Sequence, residues 1–439
     1  MANHSDSLSH SLKSQRSLIV FTIFFGWAVS CWIRLTYASF GQVTSDTLSP
    51  FVGGIQWWNF GLFQPANPES DQWLWILSLP LMYMSQSLTE LFWWKCVATT
   101  IVVPISMWMC FQWTTRHRIF WMLVLAMILT FDMGLVDTML SSFRGYWAPE
   151  CMAVACLGLM YWDKGQSWGA HFATVWTVIA MGQHPLVLGC LPALFWLWFS
   201  MKQRGQRWWI SVLLACLCTV PRIVWLWNLS HCDAGGWACF TGVASSSSES
   251  LSMWSMLSRV LVDRLWVEMG FASIIMIVGW WYSSNRVLKV WLLCAVVGIT
   301  LLGLSISTLR PYHYRVLIVP MLLLSVDGYS RLGMKGWLAG VCWCFMVLMY
   351  RIEPVGWFNT TEEADGLARE LCVQSEPIWL EGYGESLQVS PQSIGLSLLL
   401  QGCQITMAKH PTPRIWVVEM VNNPSQVYGD VVWQDSDCR

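Results

Sequence analysis

Charge is what this chain has least of. Asp, Glu, Lys and Arg make up 12% of its 439 residues, about half the share of an ordinary soluble domain, which is roughly 25%. Hydrophobic residues make up 55%, which excludes a soluble globular chain. The net charge of −1 leaves no basic footprint for nucleic acid. There is no phosphate-binding glycine loop, no metalloprotease helix and no nucleophile elbow. No His/Cys/Asp spacing specifies a metal site, so no cofactor is expected and a divalent cation is only the lesser alternative. No internal repeat is evident, which weighs against a secondary transporter built from repeated halves.

What fills the chain instead is a series of apolar runs, several close to the 20 or so residues that cross a bilayer core. The 33 tryptophans suit such a protein, because indole rings favour the membrane–water interface. Pairs such as Trp57/Trp58 and Trp93/Trp94 read most simply as interfacial anchors, and 51–63 reads as an amphipathic surface helix. The first run begins after Lys13 and Arg16 and continues past the lipoprotein-like "AVSC" at 28–31. It is therefore an uncleaved signal-anchor helix rather than a signal peptide.

Basic clusters punctuate the runs at Lys13/Arg16, Arg116/Arg118, Lys164, Lys202/Arg204/Arg207, Arg286/Lys289 and Arg331/Lys335. Short basic loops face the cytoplasm, so an even number of crossings must separate neighbouring clusters. Spans at 18–36, 91–113, 119–140, 146–161, 208–228, 267–283, 287–308, 314–328 and 336–350 meet that demand. The stretch between Lys164 and Lys202 meets it if it is cut at "GQHP", 182–185, where Gly and Pro punctuate. Each half is then short of a full crossing, which puts the turn at His184 below the surface, inside protein or a wet cavity.

The fold class is an all-α polytopic membrane protein of about eleven spans. Its cytoplasmic N-terminal tail is 1–17, its transmembrane domain 18–350, and its long first outer loop 37–90. Residues 351–439 are more charged and alternate helix-like and strand-like stretches: "TTEEADGLAREL", "PIWLEGY", "SPQSIGLSLLLQG" and "RIWVVEM". They read as a small extracytoplasmic α/β domain, periplasmic if the source is bacterial. Cys232 with Cys239, and one pair among Cys372, Cys403 and Cys438, are disulfide candidates in an oxidising compartment. The 229–266 loop and the C-terminal domain are the candidate surfaces for protein partners.

Charged residues inside or beside spans are functional candidates by default. The parity map gathers Asp46, Asp132, Asp137, Arg144, Glu150, His184, Arg222, Arg310, His313 and Arg315 on the outer face. Asp46, in "QVTSDTLSPF", is a good helix cap. At a partly dry boundary it is also a candidate general base. In "TLRPYHYRVLIVP", Arg310 and Arg315 flank Tyr312, His313 and Tyr314. Arginine forks suit a phosphate, and the plainer alternative is a basic loop snorkelling to headgroups. Asp132, Asp137, Arg144 and Glu150 surround one span boundary, where Arg144 paired to an acid is the structural alternative. His184 is either a structural hydrogen-bonder or a phosphate or acceptor contact.

Together these segments resemble the GT-C superfamily, polytopic glycosyltransferases that use polyprenyl-phosphate-linked sugars, including the protein mannosyltransferase-like and lipid A aminoarabinose transferase-like branches. "TSDTLSPF" stands where the family carries its acidic residue after the first span. "SSFRGYWAPE", "GQHPLVLGCLPALFW" and "LRPYHYRVLIVPMLLL" look like its later Arg–aromatic, His-Pro and Arg-Tyr segments. The resemblance implies sugar transfer to an acceptor at the outer face. Asp46 would be the catalytic base and Arg310, Tyr312, His313 and Arg315 the donor-phosphate site, supported by Asp132, Asp137, Arg144 and His184. The partners it implies are a polyprenyl-phosphate sugar and membrane lipid. Thr47 stands where many members carry a second acid, so the alternatives are a catalytically inactive GT-C-like subunit of a larger complex and, below that, a transporter of a lipid-linked substrate.

Overall fold

The computed structural model describes residues 3–38, 72–114, 116–131, 147–183, 185–229, 270–305, 311–349, 357–372, 379–380, 391–401, 415–417, 429–430 and 432–434. The described chain begins with α1 (Asn3–Ala38), α2 (Gln72–Met84), α3 (Leu88–Thr99), α4 (Val102–Trp113) and α5 (Arg118–Phe131). It continues through α6 (Ala148–Asp163), α7 (Ser167–Met181), a 3₁₀ turn (Pro185–Cys190), α8 (Leu191–Gln203) and α9 (Trp208–Leu229). Then come α10 (Gly270–Tyr282), α11 (Arg286–Ser305), a second 3₁₀ segment (Pro311–Leu317), α12 (Ile318–Arg331) and α13 (Met334–Met349). Among the described residues, four helical stretches are long and apolar enough to cross a membrane: Ser17–Thr36, Leu88–Trp113, Leu186–Gln203 and Arg286–Ser305. Shorter apolar helices cover Arg118–Phe131, Trp208–Pro221 and Met334–Met349.

The turns that carry basic residues meet at one end of the bundle. Lys164, after α6, donates to Gln112 at the end of α4. The Arg204 guanidinium, after α8, lies 4.1 Å from the Trp162 ring centroid, and Trp162 Nε1 donates to Gln206 Oε1 at 2.7 Å. Phe120 stacks on Trp337 with ring centroids 5.5 Å apart, which brings the turn before α13 to the same end. Asp327 ties in the turn before α11: it accepts from Ser283 Oγ at 2.7 Å and the Ser284 backbone N–H at 3.0 Å. Together these contacts seat the basic turns between α4–α5, α6–α7, α8–α9, α10–α11 and α12–α13 at that end.

Two irregularities shape the opposite end. The run 88–113 is a broken helix. Pro104 has no N–H to return to the Thr100 carbonyl, so the ladder tightens there, with Val103 N donating to Thr100 O at 2.9 Å. The second break, at 182–190, falls where Gly182 and Pro185 predict one. Gln183, Leu186, Val187 and Cys190 are buried, and Gly189 meets the backbone of Gly298 and Ile299 in α11. Irregular backbone at this depth is tolerated because protein covers it. A side chain on Gly189 would lie 2.4 Å from Ile299 backbone atoms, so this approach requires glycine. The stretch read as the first outer loop also contains α2, whose Trp73 Nε1 donates to the Cys218 carbonyl of α9 at 2.7 Å.

Beyond α13, the described elements are α14 (Trp357–Cys372), β1 (Trp379–Leu380), α15 (Pro391–Leu400), β2 (Ile415–Val417), β3 (Gly429–Asp430) and β4 (Val432–Gln434). β1 pairs antiparallel with β3, and β2 with β4. Helices and short strands thus fall in the four stretches whose patterning suggests them. α14 and α15 pack on each other and against α3, at the end of the bundle opposite the basic turns.

Candidate functional site

That opposite end holds a cluster of buried charge. Arg34, near the end of α1, Lys95 in α3 and Glu150 in the first turn of α6 are all buried. Glu150 lies within electrostatic range of both cations, without a hydrogen bond to either. Arg34 also donates an N–H to the Leu129 carbonyl of α5 at 3.1 Å. Charges taken out of water persist only when compensated, and removing one member of such a group costs about 3–5 kcal/mol.

Local sequence explains why each side chain arrives there. α6 opens with Ala148 and Pro149, and proline suits the first helical turn. Glu150 then sits where the helix dipole favours an anion. Among the described residues neither of its carboxylate oxygens has a hydrogen-bond partner. Lys95 lies one turn before the Thr99–Ile101 break, and α1 pins that break. Trp27 Nε1 donates to Thr100 Oγ1 at 2.8 Å, and Cys31 Sγ lies 3.1 Å from the same hydroxyl. The helix that brings Arg34 thus also fixes the bend beside Lys95.

Neutral polar groups frame the cluster. Gln183 Oε1 accepts from the Trp147 backbone N–H at 3.0 Å, and its Nε2 donates to Cys151 Sγ at 3.2 Å. Trp147 Nε1 donates to Ser78 Oγ at 3.0 Å. One glutamine side chain therefore holds the start of α6 against the break that follows α7. The second 3₁₀ segment packs on α6 and on the first 3₁₀ turn. There Tyr314 Oη and Thr300 Oγ1 are 2.7 Å apart, and Arg315 is half-buried.

Of the charged residues singled out by sequence beside the spans, Glu150 and Arg315 are seen with their side chains, on elements in contact. The 3₁₀ turn Pro185–Cys190 and the 311–317 segment are likewise in contact. Asp46, Asp132, Asp137, Arg144, His184 and Arg310 lie outside the described residues, as do 51–63 and the cysteines at 232, 239, 403 and 438. For Arg222, Tyr312, His313 and Cys372 only the backbone is described. Arg34 and Lys95 escaped the sequence reading. Their signal was an ionisable side chain inside a span, masked because each lies near the end of an otherwise apolar run. Among the described residues no three His, Cys, Asp or Glu side chains converge as a metal site.

No family model and no curated protein matches the sequence. Among solved structures the chain is similar to ArnT from Cupriavidus metallidurans, in a crystal structure with bound undecaprenyl phosphate. The two are 11% identical, the match covers 88% of this chain and 84% of ArnT, and the TM-score is 0.53. This chain has a GT-C-like fold. Its apolar helices make it a multi-pass integral membrane protein. The GT-C-like fold expected from "TSDTLSPF" and the later segments is thus present at a level of identity too low to carry function with it.

Proposed function

We propose that this protein transfers a sugar from a polyprenyl-phosphate-linked donor to an acceptor at the outer face of the membrane. The observation that carries the reading is the placement of buried charge. Arg34, Lys95 and Glu150 sit at the end away from the basic turns, in a fold that in ArnT binds undecaprenyl phosphate. The basic end faces the cytoplasm, so the N-terminus is cytoplasmic and the unit built on α14 and α15 is extracytoplasmic.

In this reading Arg310 and Arg315 hold the donor phosphate with Tyr312 and His313, and Lys95 adds a buried cation from α3. The acceptor oxygen attacks the anomeric carbon. Asp46 takes the acceptor's proton, the bond from that carbon to the phosphate oxygen breaks, and polyprenyl phosphate leaves with the electron pair. Asp132, Asp137, Arg144 and His184 support the site. The low pKa of a phosphate leaving group means that no nucleotide is required.

Transfer of labelled sugar from a polyprenyl-phosphate donor by the full chain in nanodiscs tests this. Asp46→Asn is expected to lower the rate at least ~100-fold, in the range for loss of a general base. Wild-type transfer that Asp46→Asn leaves intact removes Asp46 from the mechanism. Thr47, where many GT-C proteins carry a second acid, favours one other reading, an inactive subunit that keeps the fold. No transfer by wild type, together with co-purification of a fixed partner, supports that alternative.

A further inference from the structure

The first turn of α3 is closed from two places in the sequence. Ser87 and Glu90 form a local capping box, with Glu90 N donating to Ser87 Oγ at 3.2 Å and Gln86 N donating to Glu90 Oε2 at 2.8 Å. That leaves the N–H groups of Leu88 and Thr89. Both donate to the carboxylate of Asp365 in α14, Leu88 N to Oδ1 at 2.9 Å and Thr89 N to Oδ2 at 3.0 Å. The Thr89 hydroxyl adds a bond to Oδ2 at 2.7 Å, and Ser397 Oγ of α15 donates to Oδ1. Gln401 and Arg369 hold the Asp365 carbonyl, at 3.3 and 3.2 Å.

Leu88 and Asp365 are buried, so water cannot replace these bonds. Thr361, Ala364 and Ala368 of α14 and Ile394, Leu396 and Leu398 of α15 are buried as well, in helices that pack on each other and against α3. Lys95 follows Leu88 by seven residues, two helical turns or about 10 Å along the same axis. Beyond Lys95 the helix ends at the Thr100 break, where Trp27 and Cys31 of α1 contact the Thr100 hydroxyl.

We propose that Asp365 is a positioning residue. The segment after the last apolar helix completes α3 and thereby sets the position of Lys95 in the buried charge cluster. The part concerning ligand rests on the donor-binding reading above, whereas the coupling between Asp365 and α3 does not.

The test uses full-length protein in nanodiscs, with Asp365→Ala and the isosteric Asp365→Asn. Asn keeps one acceptor oxygen for Leu88 but turns an N–H toward Thr89. Hydrogen exchange is followed across 85–99, with 148–163 as the reference helix, and undecaprenyl phosphate is the binding probe. Exchange through Lys95 is expected to rise about tenfold in Asp365→Ala and about threefold in Asp365→Asn. Undecaprenyl phosphate binding should weaken in the same order, with the reference helix unchanged in the Asn variant. Faster exchange confined to Leu88 and Thr89, or unaltered binding despite faster exchange through Lys95, overturns the positioning role. Equal loss of protection in 148–163 for Asp365→Asn overturns it too, because the carboxylate would then be holding the whole fold. Failure of the wild type to bind undecaprenyl phosphate sinks the donor reading, and the exchange arm still decides whether Asp365 governs α3.

Discussion

The two ends of the helical bundle treat charge in opposite ways. At the basic end, the cations stay near the surface and find neighbours close at hand. Arg204 lies over Trp162, Arg118 over Phe111, and Arg331 contacts Asp327 at 3.4 Å across one turn of α12. At the other end, Arg34, Lys95 and Glu150 come from three different helices and are withdrawn from solvent. Exposed pairs contribute about 0–1 kcal/mol each, whereas a buried charge stripped of its partner costs several. The basic end fixes orientation at little energetic risk. The opposite end concentrates risk, and charges buried inside a membrane protein are functional candidates for that reason.

That contrast can be broken most severely by Lys95→Met. It is expected to abolish undecaprenyl phosphate binding while the protein still folds, as binding and thermal melting of the same nanodisc sample will show. Glu150→Ala comes next. It leaves Arg34 and Lys95 without their shared acid and should destabilise the protein by about 3–5 kcal/mol, read from denaturant unfolding. Glu150→Gln should behave almost as badly, since shape is kept and charge is lost.

Asp327→Ala tests the buried carboxylate of the basic end. The Ser284 N–H and Ser283 hydroxyl lose their acceptor, at a cost of about 1–3 kcal/mol. The smallest effect is expected for Arg204→Gln, which removes one cation–π contact at the surface and should shift stability by less than about 1 kcal/mol. If Arg204→Gln costs as much as Glu150→Ala, the two ends do not differ as described.

Much of the frame was legible in the sequence because bilayer thickness and backbone satisfaction leave few choices. Basic clusters marked the turns of one end, and Gly182 with Pro185 marked the break between α7 and α8. The run 91–113 reads as one span, and Leu88–Trp113 is long and apolar enough to be one; the kink at Thr100 is legible in principle from Pro104, but the apolar content of the run hides the missing N–H. The charge cluster was harder. Glu150 stands out beside Asp132 and Asp137, in a stretch where Arg144 reads as paired with one of the acids; Arg144, Asp132 and Asp137 lie outside the described residues. Among the described residues, the cations whose charge Glu150 feels are Arg34 and Lys95, which are distant from it in sequence. The Asp365 contacts were beyond pattern reading altogether. "TTEEADGLAREL" reads as a helix with acids early on, and nothing local distinguishes the one acid that turns inward from the two before it.

The Asp365 cap also has a consequence for biogenesis. The first turn of α3 waits for a residue 277 positions downstream of Leu88. At a synthesis rate of about 5–20 residues per second, that is a delay of roughly 14–55 s. Throughout it, the Leu88 and Thr89 N–H groups lack the acceptor they have in the folded chain. A nascent chain stalled before residue 365 would expose that unfinished helix end to the insertion machinery and to proteases. Completion of the last segment therefore doubles as a report that the membrane part has been assembled around it.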